Sequence, residues 1–184
     1  IAALFGPMLG LGSVLLIKSP ELLAKRLASK EKESQQKTVV ALSALMFLVS
    51  FVLAGLDYRY GWTSLPSWMV WTATGIMLLS YLMYAEVMRE NAYLSRTIEV
   101  QEDQKVIDTG LYGIVRHPMY SATVFLFLSM PLILGSMMSF VVMLLYIPII
   151  NARIKNEEKV LSEGLPGYKE YMQKVRSKVI PFIW

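Results

Sequence analysis

Four stretches of this chain carry no charge, and their lengths constrain the fold more than any other feature. Residues 1–17, 38–56, 65–85 and 119–150 run for 17, 19, 21 and 32 residues without a Lys, Arg, Asp or Glu. A helix that crosses a bilayer needs about 20 apolar residues, because lipid offers its backbone no hydrogen-bond partner. The first three lengths suit one span each. The first stretch lacks the basic flank and the small-residue cleavage site of a secretory signal. The fourth is too long for one span and is broken by Gly135-Ser136. It reads as a tight hairpin with arms 119–134 and 137–150, kinked by Pro131 and Pro148. The second arm can continue as helix beyond the membrane, through Arg153 to Glu163. The expectation is an all-α polytopic membrane protein with five transmembrane helices, residues 1–184 forming a single membrane domain.

Composition agrees. Hydrophobic residues make up 55% of the chain, too many for an ordinary soluble domain. There is no cysteine and one histidine, so neither thiol chemistry nor a metal site is expected. The net charge is only +4, no sign of a nucleic-acid partner, and the placement of charge says more than its sum. With five spans and an external N-terminus, loops 18–37 and 86–118 and the tail from residue 152 share one face. They hold 17 of the 18 basic residues, and only Arg59 lies opposite. Positive charge collects on cytoplasmic loops, so the C-terminus and any site on that face are expected in the cytoplasm. Loop 18–37 has Pro20 at a helix start and reads as a short amphipathic surface helix. Residues 97–101 alternate and suit a short extended segment. Gly164-Leu165-Pro166-Gly167 ends the long tail helix, and a second one, from Tyr168 to about Arg176, packs back on the bundle. Pro181-Phe182-Ile183-Trp184 suits a membrane interface. The chain begins at Ile1 rather than methionine, so a short preceding stretch is expected.

Two polar clusters flank the hairpin. His117, the only histidine, precedes Pro118. A residue before proline is pushed out of helical conformation, and proline suits the first turn, so Pro118 opens the fourth span. The N–H groups there, with Arg116 and His117, favour a carboxylate or phosphate. The plainer alternative makes His117 a helix cap and Arg116 a headgroup contact. Past the hairpin come Glu157 and Glu158. Adjacent on a helix, they point about 100° apart, so only one can face a given pocket. Arg153, four residues before Glu157, can form an ordinary surface ion pair with it. The alternative is that one carboxylate meets a bound ammonium group. The hairpin returns the chain to the same face, so the two clusters can meet. A carboxylate site beside an ammonium site matches the amino-acid end of S-adenosylmethionine.

Over roughly residues 91–184 the sequence resembles the isoprenylcysteine carboxyl methyltransferase and phospholipid methyltransferase family. Gly110, Tyr112, Arg116, His117, Pro118 and Tyr120 match each fixed position of the family's first motif, and Gln104-Lys105-Val106-Ile107 is similar to the segment before it. Arg153, Glu157, Glu158, Tyr168, Tyr171 and Pro181 fit the second motif and its tail. Two loops depart from the pattern. Glu102-Asp103-Gln104 stands where Glu-Gly-Gln is usual, and Gly164-Leu165-Pro166-Gly167 replaces a Phe-Gly segment.

The resemblance implies methyl transfer from S-adenosylmethionine to a lipophilic acceptor that arrives sideways from the bilayer. It places the cofactor against Gln104, Gly110, Tyr112, Val115, Arg116, His117, Met119, Tyr120 and Glu158. Within that set His117 and the N–H groups near Met119 take the carboxylate, and Glu158 takes the ammonium. Tyr112, Val115 and Tyr120 line the adenosyl pocket. The catalytic pair is Arg153, which orients the acceptor, and Glu157, which takes the proton of an amine acceptor. A carboxylate acceptor needs no base and can be held by Arg153 or Arg116. Membrane sterol reductases share Arg-His-Pro, but the NADPH they bind carries phosphates that Glu157 and Glu158 would repel. A transporter or scaffold is the non-enzymatic alternative, and the uncharged spans disfavour ion or proton transport.

Overall fold

A computed structural model describes residues 2–18, 20, 34–94 and 98–184. Most of loop 18–37, where the surface helix is expected, lies at residues 21–33, outside these. Residue 97 also lies outside them, and 98–100 have no regular structure. In chain order the elements are α1 (Ala2–Lys18), α2 (Ser34–Tyr60), α3 (Ser67–Glu90), a 3-10 turn (Gly110–Gly113), α4 (Pro118–Ile133), α5 (Met137–Met143), α6 (Tyr146–Gly164) and α7 (Tyr168–Lys174). Among the described residues there is no strand.

Among the described residues three helical runs are long and apolar enough to cross a membrane: Lys37–Tyr60, Ser67–Glu90 and Met137–Gly164. α4 is apolar but has 16 residues. The helices pack with α3 along α4, α2 against α5 and α6, and α1 on α3. Met77 and Val87 of α3 are fully buried, whereas Trp71, Leu79 and Leu82 are at least 66% exposed. Large apolar side chains turned outward along a whole helix are what a lipid-facing surface requires and a water-facing one penalises.

The hairpin forms at Gly135-Ser136. The N–H of Ser136 donates to the Pro131 carbonyl and that of Gly135 to the Leu132 carbonyl. This is the Schellman closure, and it needs the left-handed Gly135, at φ +80°. Ser136 then caps α5, its hydroxyl accepting from the Ser139 N–H at 3.1 Å. The same hydroxyl donates to Asp57 of α2 at 2.5 Å, and Thr63 donates to Asp57 through both its N–H and its hydroxyl. The kink expected at Pro148 is a break one turn earlier. Proline has no N–H to return to the Leu144 carbonyl, so Ile147 donates there at 3.0 Å and the helix restarts at Tyr146.

At the other end of the bundle the tail folds back. Residues 164–167 turn the chain, with Gly167 at φ +84°, and α7 lays Tyr168, Tyr171 and Val175 against Val100, Val106 and Leu161. The tail helix ends at Lys174, two residues earlier than the sequence suggests.

Candidate active site

His117 has φ −126° and ψ 63°, outside the helical region, and Pro118 occupies the first helical position, as the pre-proline restriction requires. The two residues before Pro118 pair with the tail: Arg116 N–H donates to the Ser177 carbonyl at 3.0 Å and His117 N–H to the Lys178 carbonyl at 2.8 Å. The N–H groups of Tyr120 and Ser121 donate to the His117 carbonyl. These four N–H groups are therefore taken within the protein.

Charge concentrates where α4, α6 and the tail meet. Arg116 donates to Glu158 through Nε at 2.8 Å and Nη2 at 2.7 Å, and through Nη1 to the carbonyls of Val175 and Arg176. Lys178 donates to the other Glu158 oxygen at 2.7 Å, and His117 Nε2 lies 3.3 Å from Glu158. Three cationic or basic groups thus enclose one buried carboxylate. Glu157 points elsewhere, as the roughly 100° helical offset demands. Tyr120 donates to Glu157 at 2.5 Å, and Arg153 Nε donates to the same Tyr120 hydroxyl at 3.0 Å. His117 Nδ1 stands 3.8 Å from Glu157, and the imidazole stacks on the Tyr120 ring.

Glu157 lies on the wall of a cavity of about 840 Å³, open mouth included. Of the residues singled out from the sequence, Gln104, Tyr112, Arg116, His117, Met119, Tyr120, Arg153 and Glu157 line it. Gly110, Val115 and Glu158 are not on its wall. Gly110 sits at φ +50°, and a Cβ there would run into the Glu90 carboxylate. Glu90 accepts from Thr109 and from the Leu111 N–H, and so holds the turn that presents Tyr112. Val115 is packed in the interior.

Several wall residues escaped the sequence reading. Asn91 donates to the Tyr112 hydroxyl at 2.8 Å. Tyr93 donates to the Asp103 carbonyl and accepts at its own carbonyl from Gln101. Asp103 takes φ +56°, which explains why a glycine is usual at this turn position. Tyr168 also lines the cavity, and its phenol is pushed far above the usual tyrosine range, first by burial and then by the charges of Glu157 and Glu158. The tail motif marked Tyr168, whereas nothing in the sequence marked Asn91 or Tyr93, whose roles come from contacts made in the fold.

A second, largely apolar pocket of about 980 Å³, open mouth included, lies between α2, α4 and α6, lined by Val40, Ala44, Phe47, Phe127, Tyr146 and Ile150 among others. Met119, Tyr120 and Arg153 belong to the walls of both spaces. Among the described residues Arg153 is the one charged side chain on the apolar pocket's wall. Among the described residues no group of three or more His, Cys, Asp or Glu side chains could hold a metal ion.

No curated protein matches the chain. The family model for phospholipid methyltransferase matches residues 68–166, which take in α3, the loop that walls the cavity, the hairpin and α6 with both glutamates. With more than half of its length matched, the chain belongs to the phospholipid methyltransferase family of membrane methyltransferases.

Proposed function

We propose that this protein transfers a methyl group from S-adenosylmethionine to a lipophilic acceptor at the cytoplasmic face of a membrane, through five spans that leave the N-terminus outside. One observation carries the reading: a polar cavity and an apolar pocket share a wall at Met119, Tyr120 and Arg153. A water-soluble donor suits the first space and a lipid chain the second, so their reacting ends would meet at that wall. The distribution of 17 of the 18 basic residues supports the cytoplasmic face.

The chemistry of the wall fits the cofactor. Its ammonium finds a carboxylate in Glu157, and its carboxylate finds donors in His117 and the Arg116 corner. Glu158, expected from the sequence to take the ammonium, is enclosed by Arg116, His117 and Lys178. We assign it instead to holding Arg116 and His117 in position, and Glu157 to the ammonium. Gln104, Tyr112, Met119 and Tyr120 remain the cofactor's other wall, with Gly110 and Val115 shaping it from behind.

When bound, the cofactor supplies a methyl group on a sulfonium, whose departure needs no acid catalyst. The protein's contribution is then positioning and exclusion of water. Arg153 stands on both walls and can hold an anionic group of the acceptor, a phosphate or a carboxylate. Tyr120 connects Arg153 to Glu157, so the acceptor clamp and the cofactor clamp share one hydroxyl. An amine acceptor has a proton acceptor within the same network at Glu157.

The test is direct. Purified protein in bilayer discs of phosphatidylethanolamine is given methyl-labelled S-adenosylmethionine, with discs containing a carboxylated prenyl lipid as the second arm. Label in the lipid fraction of either arm is the expected result. Absence of label in both, with no binding of S-adenosylhomocysteine, would overturn the proposal.

A further inference from the structure

α7 carries two tyrosines three residues apart, Tyr168 and Tyr171, 4% and 5% exposed. Their rings pack together at 5.7 Å, and both line the polar cavity. Their hydroxyls differ. Tyr171 donates to the Tyr112 carbonyl at 2.8 Å, tying α7 to the motif turn. The Tyr168 hydroxyl is buried and makes no hydrogen bond. Folded proteins satisfy nearly all buried polar atoms, because an unmade bond forfeits the hydration the group had in water. Phenylalanine would place the same ring here without that cost. An oxygen kept where it weakens the fold calls for another reason.

The surroundings supply one. Burial and the nearby charges of Glu157 and Glu158 keep the phenol protonated, so it is a donor. Neither carboxylate accepts its proton. Arg116 and His117 stand on the same wall, which suits an incoming anion. We propose that the Tyr168 hydroxyl is a ligand contact that donates its hydrogen bond to the carboxylate of the cofactor's amino-acid end. This rests on the methyltransferase reading above and adds to it a residue of the tail helix. It also gives α7 a role in closing the cavity over the cofactor, with Tyr171 anchoring the helix and Tyr168 facing the ligand.

The experiment measures binding and stability separately. S-adenosylhomocysteine is titrated calorimetrically into purified wild-type protein, Tyr168→Phe and Tyr171→Phe, and thermal unfolding of each is followed without ligand. Tyr168→Phe should unfold at the wild-type temperature or above it and bind about tenfold more weakly, the loss expected of a hydrogen bond to a charged group. Tyr171→Phe should unfold at a lower temperature. 5′-Methylthioadenosine, which lacks the amino-acid end, should displace the homocysteine compound from Tyr168→Phe no less well than from wild type. Unchanged affinity in Tyr168→Phe overturns the inference and leaves the methyltransferase reading standing. Equal losses for both ligands overturn it by moving the contact to the nucleoside, and a lowered unfolding temperature overturns it by giving the hydroxyl a structural role. A wild-type protein that does not bind S-adenosylhomocysteine overturns the underlying reading and this inference with it.

Discussion

Glu157 and Glu158 are neighbours in the chain with opposite surroundings. Glu158 has an 8% exposed side chain and meets Arg116, His117 and Lys178, whereas Glu157 is 26% exposed on the cavity wall. Replacing each therefore reads out differently. Glu158→Ala leaves the guanidinium of Arg116 buried without its counter-charge, and breaking such a pair costs about 3–5 kcal/mol. Its unfolding midpoint in denaturant should fall accordingly. Glu157→Gln removes no such partner, so the fold should keep near wild-type stability. Its affinity for S-adenosylhomocysteine should drop roughly tenfold, since a neutral amide replaces one side of a charge-assisted bond. Calorimetric titration beside a denaturation curve checks both variants. Helix geometry allows only one of the two adjacent glutamates to face a given pocket. Which one does so depends on Lys178 and on the carbonyls of Val175 and Arg176, residues that carry no mark of this role in the sequence.

At the scale of elements, the hairpin of α4 and α5 is the piece that returns the second cluster to the first. Its two arms and its Gly135-Ser136 turn were legible, because a charge-free run too long for one span must reverse at its one flexible point. The clasp on that turn was not legible. Asp57 lies just past the second uncharged stretch and looks like a loop residue, yet it is 2% exposed and accepts from Ser136 and Thr63. Asp57→Ala leaves the Ser136 and Thr63 hydroxyls without their acceptor at the foot of α2. Thermal unfolding of the detergent-solubilised variant should come earlier than wild type, while S-adenosylhomocysteine affinity measured below that temperature should not change. A weakened affinity would mean that the turn reports to the distant cavity.

The whole molecule sets a polar cavity and an apolar pocket against one wall. The polar cavity faces the tail and the loop around residues 98–107, and the apolar pocket opens between α2, α4 and α6. Ala44, exposed at the rim of the apolar pocket, offers a way to block one space without touching the other. Ala44→Trp should abolish labelling of bilayer lipid and leave S-adenosylhomocysteine binding intact, as read by lipid extraction and by titration. The sequence alone pointed to a helical chain with apolar spans and to two polar clusters on one face. Those properties follow from run length and charge placement, which are local. Packing in three dimensions set which glutamate meets the cavity, that the tail lines it with one tyrosine satisfied and one not, and that an apolar pocket shares its wall. Each of these depends on residues far apart in the chain being brought together, such as Arg116 with Arg176 or Val39 with Arg153, and no periodicity or motif spacing encodes such a meeting.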